Sequence, residues 1–181
     1  GDKSKVTGQK ITNVRRQAKV IIIDLANGFH FLVHLKMTGQ LIYRKKLEEK
    51  KPYDYKPEDN VYDVDRLPNK YTRVIITFAD KTYLVFNNLR AFGWVKVVKP
   101  NNLEKEMKNF SGVNPLTDKF TTDYLKNIAS QTRRAIKLLL MDQKKIAGIG
   151  NIYANEALYC ARIHPKKPAK EVEKEKLDKL H

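Results

Sequence analysis

Residues 141–165, reading MDQKKIAGIGNIYANEALYCARIHP, constrain the fold more than any other stretch of this chain. Gly148, Gly150 and Asn151 stand directly before an apolar run with helical spacing, namely Ile152, Ala154, Leu158 and Tyr159. A glycine-bearing turn must therefore deliver the chain into a helix. Backbone amides at a helix start lack partners within the helix, glycine lets a bulky anion approach them, and the helix dipole favours negative charge there. Around this turn, residues 131–170 carry nine basic side chains (Arg133, Arg134, Lys137, Lys144, Lys145, Arg162, Lys166, Lys167, Lys170) against Asp142 and Glu156, a local surplus of seven positive charges. That combination reads as a clamp for a phosphate backbone. The same letters also describe a plain tight connection between two helices, with one glycine as a left-handed cap. They are not a dinucleotide fingerprint, because no apolar strand leads in and the six-residue glycine pattern is absent.

Upstream, the first hundred residues carry β patterning. Residues 20–25 form an apolar, β-branched run, followed by Ala26-Asn27-Gly28 and a second run at 29–35. Asn-Gly between such runs signals a hairpin in which both central residues take positive φ. Residues 71–78 and 83–86 repeat the design around Ala79-Asp80-Lys81-Thr82, and 94–98 make a further short strand ended by Pro100. Residues 45–70 are charged, contain Pro52, Pro57 and Pro68, and show no period; they read as a surface excursion that Tyr53, Tyr55 and Tyr62 pin down. After Asn101 the character changes. Residues 115–118 look like a linker, and helices are expected over 123–129, 132–143, 151–161 and 171–180. His164-Pro165 stops the third, since a residue before proline avoids helical geometry. Strands first and helices after define an α+β chain.

Composition narrows the partners. With 181 residues, 41% of them hydrophobic, the chain buries a sizeable core in one large or two small domains. A net charge of +16 suits a polyanion or an acidic surface. No apolar run reaches the roughly 18 residues that span a bilayer, and no signal-peptide pattern precedes the first strand. The single cysteine, Cys160, supports neither a disulfide framework nor a zinc cage. An intracellular nucleic-acid partner is the default reading.

Four blocks, GQKITNVRRQAKVIIIDL, HLKMTGQL, FNNLRAFGW and IKLLLMDQKKIAGIGNIYANEALYCARIHP, occur in the order and approximate spacing of formamidopyrimidine-DNA glycosylases and their endonuclease VIII relatives. The chain resembles that family from Gly8 to His181. The resemblance implies an N-terminal antiparallel β-sandwich over residues 1–100, a linker over 101–121 and a helix-two-turn-helix domain over 122–181, with the sandwich incomplete at its start and the helical domain at its end. It implies base-excision repair of oxidised bases in duplex DNA by a bifunctional DNA glycosylase and AP lyase. Gly148, Gly150 and Asn151 fall on the family's phosphate-binding turn. Met37, Arg90 and Phe92 match the residues that fill the hole left by a flipped base, a task suited to a slender thioether, a wedge and a hydrogen-bonding cation. Lys19 and His34 match phosphate-contacting positions. Lys137 matches a basic position on the helix before the clamp, where a solvent-facing role fits as well.

The chain also departs from the family pattern. The family's catalytic proline and glutamate at the mature N-terminus have no counterpart, since the chain begins Gly1-Asp2-Lys3-Ser4. No catalytic residue is therefore expected here, except Lys19 or the Gly1 amine as Schiff-base candidates, with Arg15 and Arg16 supplying a positive neighbourhood that depresses an amine pKa. No metal site or cofactor is expected in the chain, because the family's zinc finger has no counterpart in it. Asn88 replaces a common aspartate, removing a charge that orients Arg90; Ala91 replaces a basic residue, Lys36 a glycine, and Asn114 an acid before Pro115. The expected partner is damaged double-stranded DNA, not a membrane, in the cytoplasm at the nucleoid, or in a nucleus or organelle if the source is eukaryotic. The alternative is an inactive nucleic-acid-binding or structural assembly protein that keeps the glycosylase fold and binds a protein partner.

Overall fold

The computed structural model describes residues 3–47 and 67–181. Gly1, Tyr53, Tyr55 and Tyr62 lie outside them. The described residues fall into two compact units, one holding the chain up to Arg15 and from Val20 to Pro100, the other holding Arg16–Lys19 and Asn101–His181.

The described residues hold seven strands, β1 (Ile11–Gln17), β2 (Val20–Leu25), β3 (His30–His34), β4 (Gly39–Arg44), β5 (Thr72–Thr77), β6 (Tyr83–Asn88) and β7 (Trp94–Val98), all in the first unit except the last two residues of β1. They form two sheets, ordered β1-β2-β3-β7 and β4-β6-β5. Ile22 and Ile23 are both buried, as are Leu32 and Val33, so β2 and β3 are covered on both faces and read as continuous apolar runs rather than alternations. At the edge, β1 (ITNVRRQ) is exposed almost throughout, and its charges hid it from a hydrophobic pattern. Asp24 ties it to its neighbours, accepting from Arg15 Nε at 3.0 Å and pairing with His30 Nδ1 at 2.7 Å. Burial pulls the Asp24 carboxyl upward, but hydrogen bonds from Arg15 and His30 outweigh it and hold its pKa below the ordinary value.

Both expected hairpins form, with a different turn. Asp24 pairs with His30, the Leu25 amide donates to Phe29 O at 2.9 Å and the Gly28 amide to Leu25 O at 2.9 Å, with Gly28 at φ +80°. This is a three-residue loop with one left-handed residue, and Asn27 is not at positive φ. The loop between β5 and β6 repeats it, with Lys81 at φ +63° in the glycine's place. Leu67 corrects the reading of its stretch as wholly superficial, because it is 2% exposed.

The second unit holds α1 (Leu103–Met107) and, around a core that includes Leu125, Ile136, Leu139, Ile146, Leu158 and Leu177, α2 (Thr122–Ser130), α3 (Ile136–Leu140), α4 (Asn151–Cys160) and α5 (Lys174–Leu180). Thr121 caps α2, its hydroxyl accepting from the Tyr124 amide at 3.0 Å. The helix expected over 132–143 shrinks to five residues. Its would-be first turn is spent on a crossing segment: the Ile136 amide donates to Lys167 O, the Ala169 amide to Arg134 O and the Lys170 amide to Thr132 O. A backbone already paired in this way cannot also close helical rings. For a similar reason α5 starts at Lys174, after a 3₁₀ turn at Ala169–Glu171 and an extended Val172. Residues 101–121 are more than a linker: they contain α1, and Val113 bridges Ile146.

Candidate nucleic-acid interface

In the first unit, two connections cross between the sheets side by side. One joins β3 to β4 through residues 35–38; the other joins β6 to β7 through residues 89–93. Their bases are fixed by pairing, His34 with Trp94 and Gly39 with Asn88. Both loops turn through left-handed residues, Lys36 at φ +55° and Ala91 at φ +55°, a conformation that L side chains adopt at a cost. The glycines that follow are required by close packing. A Cβ on Gly39 would lie 2.8 Å from Leu35 Cα, and one on Gly93 would lie 2.6 Å from Asn88 Nδ2 and 2.8 Å from His34 O.

Met37, Arg90 and Phe92 stand together on these loops. Met37 is 78% exposed and Phe92 60%, so neither is a core residue. Arg90 joins them, with Nη1 3.6 Å from Met37 Sδ and Cζ 5.1 Å from the Phe92 ring centroid. The result is an apolar prong with a cation at its centre. His34, by contrast, is buried. Its Nδ1 accepts from the Lys36 amide at 3.0 Å, which places the neutral ring's proton on Nε2, and its ring lies 5.7 Å from that of Trp94. Asn88 does not bond the Arg90 guanidinium; its side chain reaches Arg90 only through the Thr38 hydroxyl and the Arg90 backbone amide. Asn114 holds its own turn, accepting from the Leu116 amide at 3.0 Å.

In the second unit, the start of α4 is bare. Gly150 is its N-cap, no side chain caps it, and its first turn carries no acid. Asn151 is the first helical residue and is exposed. Gln143 builds the turn that leads there: the Gly148 amide donates to its Oε1 at 2.8 Å, and its Nε2 donates to Ile149 O at 2.8 Å and Met141 O at 3.0 Å. Gly148 takes φ +91°. Lys19 brings its ammonium against Gly150, where a Cβ would collide with Nζ. A lysine ammonium beside the positive end of a helix is favourable when an anion lies between them. Lys137, on α3, is half-buried and its amide donates to Pro165 O at 3.3 Å. The structure thus gathers Lys19, Gly148, Gly150 and Asn151 at one turn, and Met37, Arg90 and Phe92 at one corner.

Sequence reasoning missed Gln143 and Thr38, whose polar atoms organise these two places. Thr38 sits beside Met37 in a motif, whereas nothing about Gln143 marks its role before the turn is folded. Among the described residues no group of His, Cys, Asp and Glu is arranged to hold a metal ion, and no helix is long and apolar enough to cross a membrane.

The same two units recur in known proteins. Residues 2–95 match the family model described as the formamidopyrimidine-DNA glycosylase N-terminal domain, and residues 111–181 match that of the formamidopyrimidine-DNA glycosylase H2TH domain. The formamidopyrimidine-DNA glycosylase of Rickettsia felis is 37% identical over 177 residues, covering 98% of this chain and 58% of its own length. That of Wolbachia pipientis is 37% identical over 175 residues, covering 96% of this chain and 57% of its own. Among solved structures, the Lactococcus lactis enzyme, non-covalently bound to DNA containing an AP site, aligns with a TM-score of 0.80 at 23% identity, over 98% of this chain and 62% of that one. The MutM (Fpg) protein of Thermus thermophilus aligns at 0.75 and 28% identity, over 99% and 59%. This chain belongs to the formamidopyrimidine-DNA glycosylase family. It spans about three-fifths of the length of the curated relatives it matches.

Proposed function

We propose that this chain recognises damaged duplex DNA as part of base-excision repair, and that its residues carry recognition rather than bond cleavage. The observation that carries the reading is the exposed Met37–Arg90–Phe92 prong, three side chains from two loops with no core to fill. An apolar tip with a central cation suits a gap in a base stack, where the wedge replaces stacking and the guanidinium serves an orphaned base. The turn at Gly148–Asn151, with Lys19 beside it, serves the phosphates, and the net charge of +16 supports affinity for the backbone at large. His34 keeps the loop of Met37 in shape, and Lys137 adds positive charge near the clamp.

Met37→Ala tests the prong. Titrated against a duplex with an abasic site and against the intact duplex, the variant is expected to lose about ten-fold in affinity for the abasic duplex, the value of one buried methionine side chain, with little change on intact DNA. An equal loss on both would show that Met37 does not read the gap.

Lys19 serves as a phosphate ligand, its ammonium lying against Gly150 at the start of α4. Borohydride reduction of the chain on abasic duplex is expected to leave Lys19 unmodified. An adduct mapped to Lys19 would assign it the Schiff base instead.

A further inference from the structure

The prong's three side chains come from two loops that no covalent bond joins. Met37 and Phe92 are mostly exposed, and the contacts among the three are weak: a guanidinium near a thioether and a cation over a ring. A wedge must nevertheless arrive in one shape, since ordering it during binding would subtract from affinity. One polar connection runs between the loops. The Thr38 hydroxyl accepts from the Arg90 amide at 3.3 Å and donates to Asn88 Oδ1 at 3.0 Å.

The Arg90 amide can only donate, so the hydroxyl oxygen accepts there, and the hydroxyl's own proton goes to Asn88 Oδ1. Asn88 is a stable anchor. It is 1% exposed, its amide donates to Tyr71 O at 2.8 Å and its carbonyl accepts from Arg73 Nε at 3.3 Å. Its Nδ2 is buried with no partner among the described residues, which leaves Thr38 as the group that sets its side-chain amide. The left-handed Lys36 and Ala91 on either side show that both loops are held against their own backbone preference.

We infer that Thr38 and Asn88 form a hydroxyl–amide relay that locks the Met37 loop and the Arg90–Phe92 loop into one preorganised wedge, making Thr38 a positioning residue for lesion recognition. The inference rests on the proposed reading of the prong. Thr38 acts through the Arg90 backbone amide.

Thr38→Val keeps the branched shape and removes both hydrogen bonds, while Thr38→Ser restores the hydroxyl. Two quantities are read on the full chain, after melting curves confirm that each variant folds. The first needs no DNA: hydrogen exchange at the Arg90 amide is expected to quicken about five-fold in Thr38→Val and to return in Thr38→Ser. The second is the ratio of Kd for intact duplex to Kd for an abasic duplex. It is expected to fall about five-fold in Thr38→Val, through the abasic Kd alone, and to recover in Thr38→Ser. Unchanged exchange would overturn the relay. Faster exchange with an unchanged ratio, in a chain that does discriminate, would overturn its role in recognition while leaving the prong's function intact. A wild-type chain that fails to discriminate would defeat the functional reading itself, and this inference with it.

Discussion

Asn151→Ala is expected to weaken binding to duplex DNA by about 10- to 100-fold, the value of one charge-assisted hydrogen bond and its alignment, on damaged and intact duplex alike. The uniformity follows from position. Asn151 opens α4 beside an uncapped, acid-free first turn, next to Gly150 and the Lys19 ammonium. Groups of this kind meet phosphates, which every duplex presents identically. Its side chain is exposed, so the substitution should leave the melting temperature nearly unchanged. A fluorescence-anisotropy titration on both duplexes checks the effect. Affinity equal to wild type on both would mean that the turn is only a connection between helices.

Leu158→Ala is expected to destabilise the helical unit by about 2–5 kcal/mol, the range for emptying a fully packed leucine site. Leu158 is 1% exposed and belongs to the cluster that includes Leu125, Ile136 and Leu177. It lies on the same helix as Asn151 and fixes the axis along which the bare amides point. Urea unfolding followed by a helix-sensitive signal measures the loss, with Ile152→Ala as the comparison. Ile152 is 73% exposed, and its truncation should cost less than about 0.5 kcal/mol. If both substitutions cost the same, α4 packs through a different face.

That comparison also shows where sequence periodicity stops. The run from Ile152 to Tyr159 has helical spacing and does form a helix, yet only Ala154 and Leu158 are buried, while Ile152, Tyr153 and Tyr159 are exposed. Spacing identified the element but could not say which apolar residues face inward. The strands β2 and β3 were legible because continuous branched apolar runs leave little else to form. The strands β1 and β4 were not, since one is a polar edge and the other is half-exposed and opens on glycine. α3 was overestimated because its first-turn amides and carbonyls are claimed by residues 167–170, a long-range pairing that no local pattern announces.

The candidate site divides in the same way. Met37, Arg90 and Phe92 were legible as members of motifs and turn out to be neighbours. His34 matched a phosphate-contacting position, but folding gives it a buried place and a backbone donor at Nδ1. The partners that hold the functional groups, Thr38 and Gln143, act through backbone amides and carbonyls. Backbone partners carry no residue identity, so sequence cannot reveal them.

The most direct test of lesion recognition is an equilibrium titration of this 181-residue chain against an abasic-site duplex and its intact counterpart over a series of salt concentrations. Such recognition requires that both duplexes bind, that both affinities fall steeply as salt rises, and that the abasic duplex binds more tightly at every concentration. Equal affinity for the two duplexes, or no binding at low salt, would contradict it.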